Sequence, residues 1–403
     1  MIVLCVLLYM RTNCGLRTVI TILKTFEDVM EGAMGKTPSY TTVRNWVLRL
    51  GLSVYEDEKP KDWKYITIQD ESIMVNREKL LLTLGIPYEH QGRPVEHKDV
   101  VVLDMKVAGQ HKREDVKTSL EEVEKATGSR PVYALSDGGH NLVGGAADAG
   151  VPHHRDISHS LGNCMKHVYG KDDEFVALTT KLGKVRLQYH LTDKAWLLPP
   201  NMRAIARFMN LGEWVEWGVR LLNAYDGLEQ KYKEAYAFVP QYRDLITELS
   251  VCTDAIRHVE QLCKTQGLSM RTSTLSQHYI IRHVIGNANN RRARLGMEML
   301  DYFRRETKLL EDNRQVHHIS SDIIESAFGI YKAKKSPNKL YGITSLVMIL
   351  PLYSKTTDYS VADNQDFKVR LANVKLKDVG VWAKDHLLPN SVSLRSKTLN
   401  KAS

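Results

Sequence analysis

The sequence predicts an α/β protein: a mixed sheet flanked by helices, interrupted by an all-helical insertion and preceded by two amphipathic helices. Three observations carry this. From Trp63 the chain breaks into short β-rich runs. Between Asp172 and His318 the apolar residues recur at helical spacing, and no proline occurs between Pro240 and Pro337. Ahead of both, two segments place their apolar residues on single helical faces.

The opening run from Ile2 to Met10 is apolar but nine residues long, short of the roughly 20 needed to span a bilayer, and it has no basic segment before it. It reads as a buried helix or strand, a remnant of a longer N-terminal domain. Val19, Ile22, Leu23, Phe26, Val29 and Met30 then form one helical face, followed by the turn GAMGKTPS. Val43, Trp46, Val47 and Leu50 form a second, with Ser39 or Thr41 as N-cap and Gly51 as its stop. Two such helices read as a helix-turn-helix. Its outward residues Tyr40, Thr42, Arg44, Asn45 and Arg49 suit phosphates or base edges in a major groove, while a plain helical hairpin with a solvated face has the same pattern.

Strands are expected from Tyr65 to Val75, Lys79 to Ile86 and Val100 to Met105. A helix from Glu114 to Thr127 follows, with Val116, Leu120 and Val123 as its stripe and Gly128 as its end. Val132 to Leu135 and Val151 to Ile157 read as further strands, with a helix from His159 onward. Three strands and a helix, then a strand, a helix and a strand, is the order expected of a ribonuclease H-like core. Within the insertion Trp214, Trp217, Leu221, Tyr225 and Leu228 share a face. The tail after Lys355 is basic and lacks strong periodicity, as expected of a segment that wraps the body or a nucleic acid.

With 403 residues, two or three domains are expected. A net charge of +9 and a pI near 9.1 favour an acidic polymer such as DNA as partner. The five cysteines are scattered, with no Cys-x-x-Cys pair, which suggests neither a disulfide framework nor a thiolate zinc site and fits a reducing cytoplasm. No Walker loop, nucleophile elbow or dinucleotide fingerprint is present.

The chemistry points to three acidic residues in unlike settings. Asp70 in KYITIQDES and Asp137 in PVYALSDGGHN sit at or near the ends of strand-like runs. Glu325 in SSDIIESAFGIYK lies on a helix whose buried side is Ile323, Ile324, Ala327, Phe328 and Tyr331. Lys332 shares the face of Glu325, about 10 Å further along the axis. Carboxylates far apart in sequence can converge on such a sheet to hold two divalent ions for displacement at phosphorus. Each has a rival: Glu71 beside Asp70, which alternation sends to the other face, Asp104 ending the third run, and Asp322 one turn before Glu325. In HHRDISHSLGNCMKH the residues Asp156, His159, Asn163 and His167 recur near helical spacing. Asp156 and His159 are read as auxiliary residues bracing the carboxylate site, because no second ligand pair supports zinc.

Taken together, IQDES, ALSDGGHNLVGGAADAG, HHRDISHSLGN and IIESAFGIYKAKKSPNKLYGITSLVMILPLY resemble bacterial insertion-sequence transposases of the DDE type. The resemblance covers residues from about 63 to 170 and 316 to 353, and PSYTTVRNWVLRLGL resembles the DNA-binding segment before their catalytic core. It implies that Asp70, Asp137 and Glu325 are the catalytic and metal-binding triad for two Mg²⁺ or Mn²⁺ ions. Arg44, Asn45, Arg49, Lys332, Lys334 and Lys335 are the implied DNA contacts. The implied activity is cleavage at transposon ends and transfer of the freed 3′-hydroxyl into target DNA. The implied partners are double-stranded DNA and further copies of the chain, with no membrane and a location on the bacterial nucleoid. Asp137 and Glu325 are 188 positions apart, so the insertion must lie between them.

The expected organisation is a helix-turn-helix over 1–62, a first catalytic part over 63–171, the helical insertion over 172–315, a second catalytic part over 316–357 and a basic tail over 358–403. A non-catalytic DNA-binding regulator and a structure-specific nuclease on the same fold are the competing readings.

Overall fold

The computed structural model describes residues 1–30, 35–75, 78–189, 195–201, 208–209, 211–286, 289–336, 342–357 and 364–389. The chain divides into two compact units. One comprises residues 1–90, 95–154 and 321–403; the other comprises 91–94 and 155–320. The first expected region, the second as far as residue 154 apart from 91–94, and the chain from residue 321 therefore belong to one unit, and the rest of the second region, from Arg155 to residue 171, belongs to the helical unit.

The first unit opens with α1 (Ile2–Arg11), α2 (Leu16–Val29) and α3 (Tyr40–Tyr55). The apolar opening run is a helix whose Cys5, Val6, Tyr9 and Met10 are buried. Ser39 caps α3, its hydroxyl accepting the Thr42 N–H at 3.1 Å. Part of the turn between α2 and α3, residues 31–34, lies outside the described residues. Gly51 does not stop α3, which runs on to Tyr55. It is buried there, and a Cβ at this position would overlap the Met348 carbonyl oxygen, so glycine serves close packing.

The sheet is formed by β1 (Tyr65–Val75), β2 (Glu78–Pro87), β3 (Val101–Ala108), β4 (Ala134–Ser136) and β5 (His153–Arg155) in the order β3-β2-β1-β4-β5. The first three strands are antiparallel neighbours, and β4 runs parallel to β1. Between β3 and β4 lies α4 (Arg113–Thr127), ended by Gly128 at φ 76°, and between β4 and β5 lies α5 (His140–Asp148). Alternation gives the sheet two covered faces. Leu81 packs with Val116 of α4 and Leu142 of α5, whereas Ile66, Ile68, Leu80, Leu82 and Leu84 enter the main core on the other side.

The helical unit contains α6 (Ile157–Tyr169), α7 (Asp173–Tyr189), α8 (Leu211–Ala224), α9 (Gln230–Ala235), α10 (Arg243–Gln266), α11 (Met270–Ile280) and α12 (Asn290–Glu306). A π-helical turn over Ile281–Ile285 extends α11. Trp214, Trp217 and Leu221 are buried on α8, but that helix ends at Ala224, which puts Tyr225 in a 3₁₀ turn and Leu228 after it rather than on the same face. Buried Glu248 accepts hydrogen bonds from the Tyr169 hydroxyl at 2.6 Å and the Asn289 amide at 2.7 Å, and Arg291 bridges it to Asp172 and Glu174.

The chain returns to the first unit as α13 (Asp322–Lys334), α14 (Ile349–Thr357), α15 (Asn364–Asn373) and α16 (Leu376–His386). The buried residues of α13 are the expected five. The tail after Lys355 is not an irregular wrap throughout: Phe367, Leu371, Val379 and Trp382 of its two helices enter the main core. The last fourteen residues lie outside the described ones.

Candidate functional site

Two of the three carboxylates lie at the same end of the parallel β1–β4 ladder. In that ladder Thr67 pairs with Ala134 and Ile68 with Leu135. Asp70 is two residues beyond Ile68 on β1, and Asp137 is two residues beyond Leu135, just after β4 ends at Ser136. Ile68 and Leu135, two positions before them, are buried in the core that also takes Ile324, Phe328 and Tyr331 of α13. Alternation along β1 puts Asp70 on the side of the sheet that meets these α13 residues, and Glu325 stands in the first turn of that helix, exposed.

Both aspartates are half-buried, and each is fixed through one oxygen by its own backbone. Asp70 accepts the Glu71 N–H at 2.7 Å and Asp137 accepts the Gly139 N–H at 2.8 Å. Gly138 takes φ 85°, a left-handed turn that glycine enters without strain and that lets the chain fold back over the carboxylate.

The rivals separate by face. Glu71 opposes Leu81 on the α4 side and pairs with Lys79 at 2.9 Å. Asp104 opposes Thr83, and its carboxylate accepts the Ser119 hydroxyl of α4 at 2.5 Å, again on that side. Burial raises the Asp104 carboxyl above the usual range, opposed by the Ser119 hydrogen bond and by Lys106. Gln69, Thr83, Ser119 and Asp104 form a continuous buried hydrogen-bonded chain.

Three carboxylates are the right donors for a hard divalent ion. Among the described residues, however, no group of three or more His, Cys, Asp or Glu side chains is gathered closely enough to hold a metal. Asp70 and Asp137 lie at the same end of the β1–β4 ladder, and Glu325 stands on α13.

The expected DNA contacts divide. Arg44 is exposed on α3 and Asn45 is half-buried. Arg49 is turned inward, donating to the Val374 carbonyl at 2.7 Å and to the Leu371 carbonyl, where it closes the end of α15. Lys332 is exposed, with its ammonium 5.8 Å from the Phe328 ring centroid, and Lys335 is half-buried. Lys334 donates to the carbonyls of Tyr9 and Thr12, the latter at 2.9 Å, and its ammonium lies 4.3 Å from the Tyr9 ring centroid. Burial lowers its pKa. Both Arg49 and Lys334 thus leave the solvent face, because orphan carbonyls at helix ends attract a nearby cation. Sequence reasoning missed Arg17 of α2, exposed, with its guanidinium 4.7 Å from the centroid of exposed Tyr40.

Asp156 belongs to the helical unit and caps α6, accepting the His159 N–H at 2.8 Å. His167 pairs with Glu298 at 3.0 Å. Two further histidines accompany the sheet face. His154 is fully buried, edge-on to Tyr133 at 4.8 Å, and His97 Nε2 lies 2.9 Å from the hydroxyl of Ser326, the neighbour of Glu325. Neither carries a spacing signal: one is among several histidines of a single stretch, the other opens the short 3₁₀ turn His97–Asp99 before β3.

Among the described residues no helix is long and apolar enough to cross a membrane. No protein-family model matches the chain, and no curated protein matches it.

Proposed function

We propose that this chain is a DNA transposase with a ribonuclease H-like catalytic core, in which Asp70, Asp137 and Glu325 form the reactive site. The observation that carries the reading is that Asp70 and Asp137 each follow the last pair of the parallel β1–β4 ladder by two residues, with Glu325 in the first turn of α13, whose apolar side enters the same core as Ile68 and Leu135. The strand order β3-β2-β1-β4-β5, with β4 parallel to β1, supports the core. So does the pattern of the chain, since a helical unit separates the second carboxylate from the third.

Mg²⁺ or Mn²⁺ held by these carboxylates would activate a water or a 3′-hydroxyl and stabilise the leaving oxygen. The chain's own part is positioning. The Glu71 and Gly139 N–H groups fix the two aspartates, and the apolar side of α13 anchors the helix that presents Glu325. Exposed Arg44, Arg17 and Lys332 supply cations for the phosphate backbone.

The test uses a duplex carrying the DNA that flanks the reading frame. Wild-type protein is expected to nick and join strands when Mg²⁺ is added, and Glu325→Gln, Asp70→Asn and Asp137→Asn to lose both steps while binding the duplex in EDTA as well as the wild type. Calorimetric titration with Mn²⁺ reads the same residues without turnover, and weakened binding in each variant is expected. Binding with no cleavage by the wild type would reject the enzyme reading in favour of a regulator. Cutting of branched DNA without strand joining would favour a nuclease.

A further inference from the structure

Residues 261–297 contain no Asp or Glu, although at the chain's frequency of 47 acids in 403 residues about four would fall there. The same stretch has six Lys or Arg. It forms the end of α10, all of α11, the π-helical turn and the start of α12, and none of the candidate chemistry above uses it.

The outer side of α11 and the π turn consists of two adjacent rows at four-residue spacing. Met270, Thr274, His278 and Arg282 are all exposed; beside them run Arg271, Leu275, Tyr279 and His283, of which only Tyr279 is half-buried. Tyr279 is the middle of a column of rings. His258 of α10 stacks on it at 3.9 Å and 16°, and His283 stacks on its other side at 4.2 Å and 30°. Both outer rings are exposed.

The π turn that presents this column is held in place. Arg292 donates to the His283 carbonyl at 2.7 Å, and Gly296 admits Ile285 where a Cβ would overlap it. Such turns are rare and recur at functional sites. Arg291, by contrast, is committed to Glu248, Asp172 and Glu174 and is not part of the surface.

We infer that this face of the helical unit binds single-stranded nucleic acid, with Arg271 and Arg282 on the phosphates and the His258–Tyr279–His283 column as a stacking platform for unpaired bases. Charge complementarity selects a polyanion, and flat rings beside exposed Leu275 and Ile281 select one with apolar faces of its own. The inference goes beyond the proposed function and does not rest on it, because none of its residues takes part in strand cleavage.

The test measures anisotropy of a fluorescein-labelled oligothymidylate with the full-length protein in EDTA, across a KCl series. Removing two phosphate contacts in Arg271→Ala/Arg282→Ala should reduce the slope of log affinity against log salt by about 1.4. Tyr279→Ala should weaken binding about tenfold, and Tyr279→Phe should restore it, since a ring suffices for stacking. Slope and affinity equal to wild type in the arginine pair, which is exposed and leaves the core intact, would overturn the proposal. Polyglutamate that displaces the oligonucleotide and is weakened alike by both alanine variants would overturn it in favour of an acidic protein partner. EDTA keeps the measurement independent of nicking, so a failure of the transposase reading would leave this result standing.

Discussion

The two units bury acidic groups in opposite ways. In the helical unit, Glu248 and Asp172 are closed by one guanidinium, that of Arg291, with Tyr169 and Asn289 completing the set. In the sheet unit, Asp70 and Asp137 lie at the same end of the β1–β4 ladder and each accepts a backbone N–H. The first arrangement is bridged by an internal cation, which fixes helices to one another. The second holds each carboxylate through one oxygen by a local backbone N–H. The difference teaches that residue type alone does not say how an acidic group is held.

The comparison breaks most visibly at Arg291. Arg291→Met removes the cation from a nearly buried Glu248 and should cost about 3 kcal/mol or more, read as a lowered denaturation midpoint. Asp70→Asn keeps an oxygen that can accept the Glu71 N–H and should leave the midpoint unchanged. Equal losses in the two variants would mean that the aspartate pair is structural too.

A steric counterpart lies in the first unit. Gly51→Ala forces a methyl group onto the Met348 carbonyl between α3 and the segment leading to α14, and about 1–3 kcal/mol of stability should be lost. No loss would show that α3 can shift away.

Arg49 and Arg44 sharpen the reading of α3. Arg49→Ala leaves the Leu371 and Val374 carbonyls without their charged donor and should cost about 1.5 kcal/mol with little change in duplex affinity. Arg44→Ala should do the reverse, weakening duplex binding in a salt-dependent way with an unaltered midpoint. The opposite pattern would mean that the face of α3 meeting DNA is the one turned toward α15.

Much of the sheet unit is legible in the sequence because its signals are local. Tyr65 to Val75 is a β-rich run, Gly128 closes α4, and the five apolar residues of α13 fall at helical spacing. The face of Asp70 follows from alternation along β1, but nothing in the sequence states the register of β1 with β4. Arg49 and Lys334 show the converse limit. Each sits on the polar side of its own helix, as a solvent-facing cation would, and each is drawn inward by carbonyls more than 300 positions away. The helices of the C-terminal region are equally hidden, since short apolar pairs such as Phe367 with Leu371 have little periodicity until a core receives them.

The smallest expected effect concerns how Glu325 is held. His97 bonds to Ser326 and lies edge-on to Tyr353 at 4.7 Å, and burial pushes its pKa below the ordinary histidine value. A depressed folded-state pKa means that the unfolded chain binds the proton more readily, so the contribution of His97 is present above the unfolded pKa and lost as pH falls through that range. Lowering the pH from about 7.5 to about 5.5 should therefore destabilise the wild type by more than it does His97→Gln, which offers Ser326 a hydrogen-bonding amide but does not titrate. The quantity to measure is the difference in midpoint shift between the two proteins. If the shifts are equal, His97 does not sense the proton, and the acid sensitivity of the unit must be sought among its carboxylates.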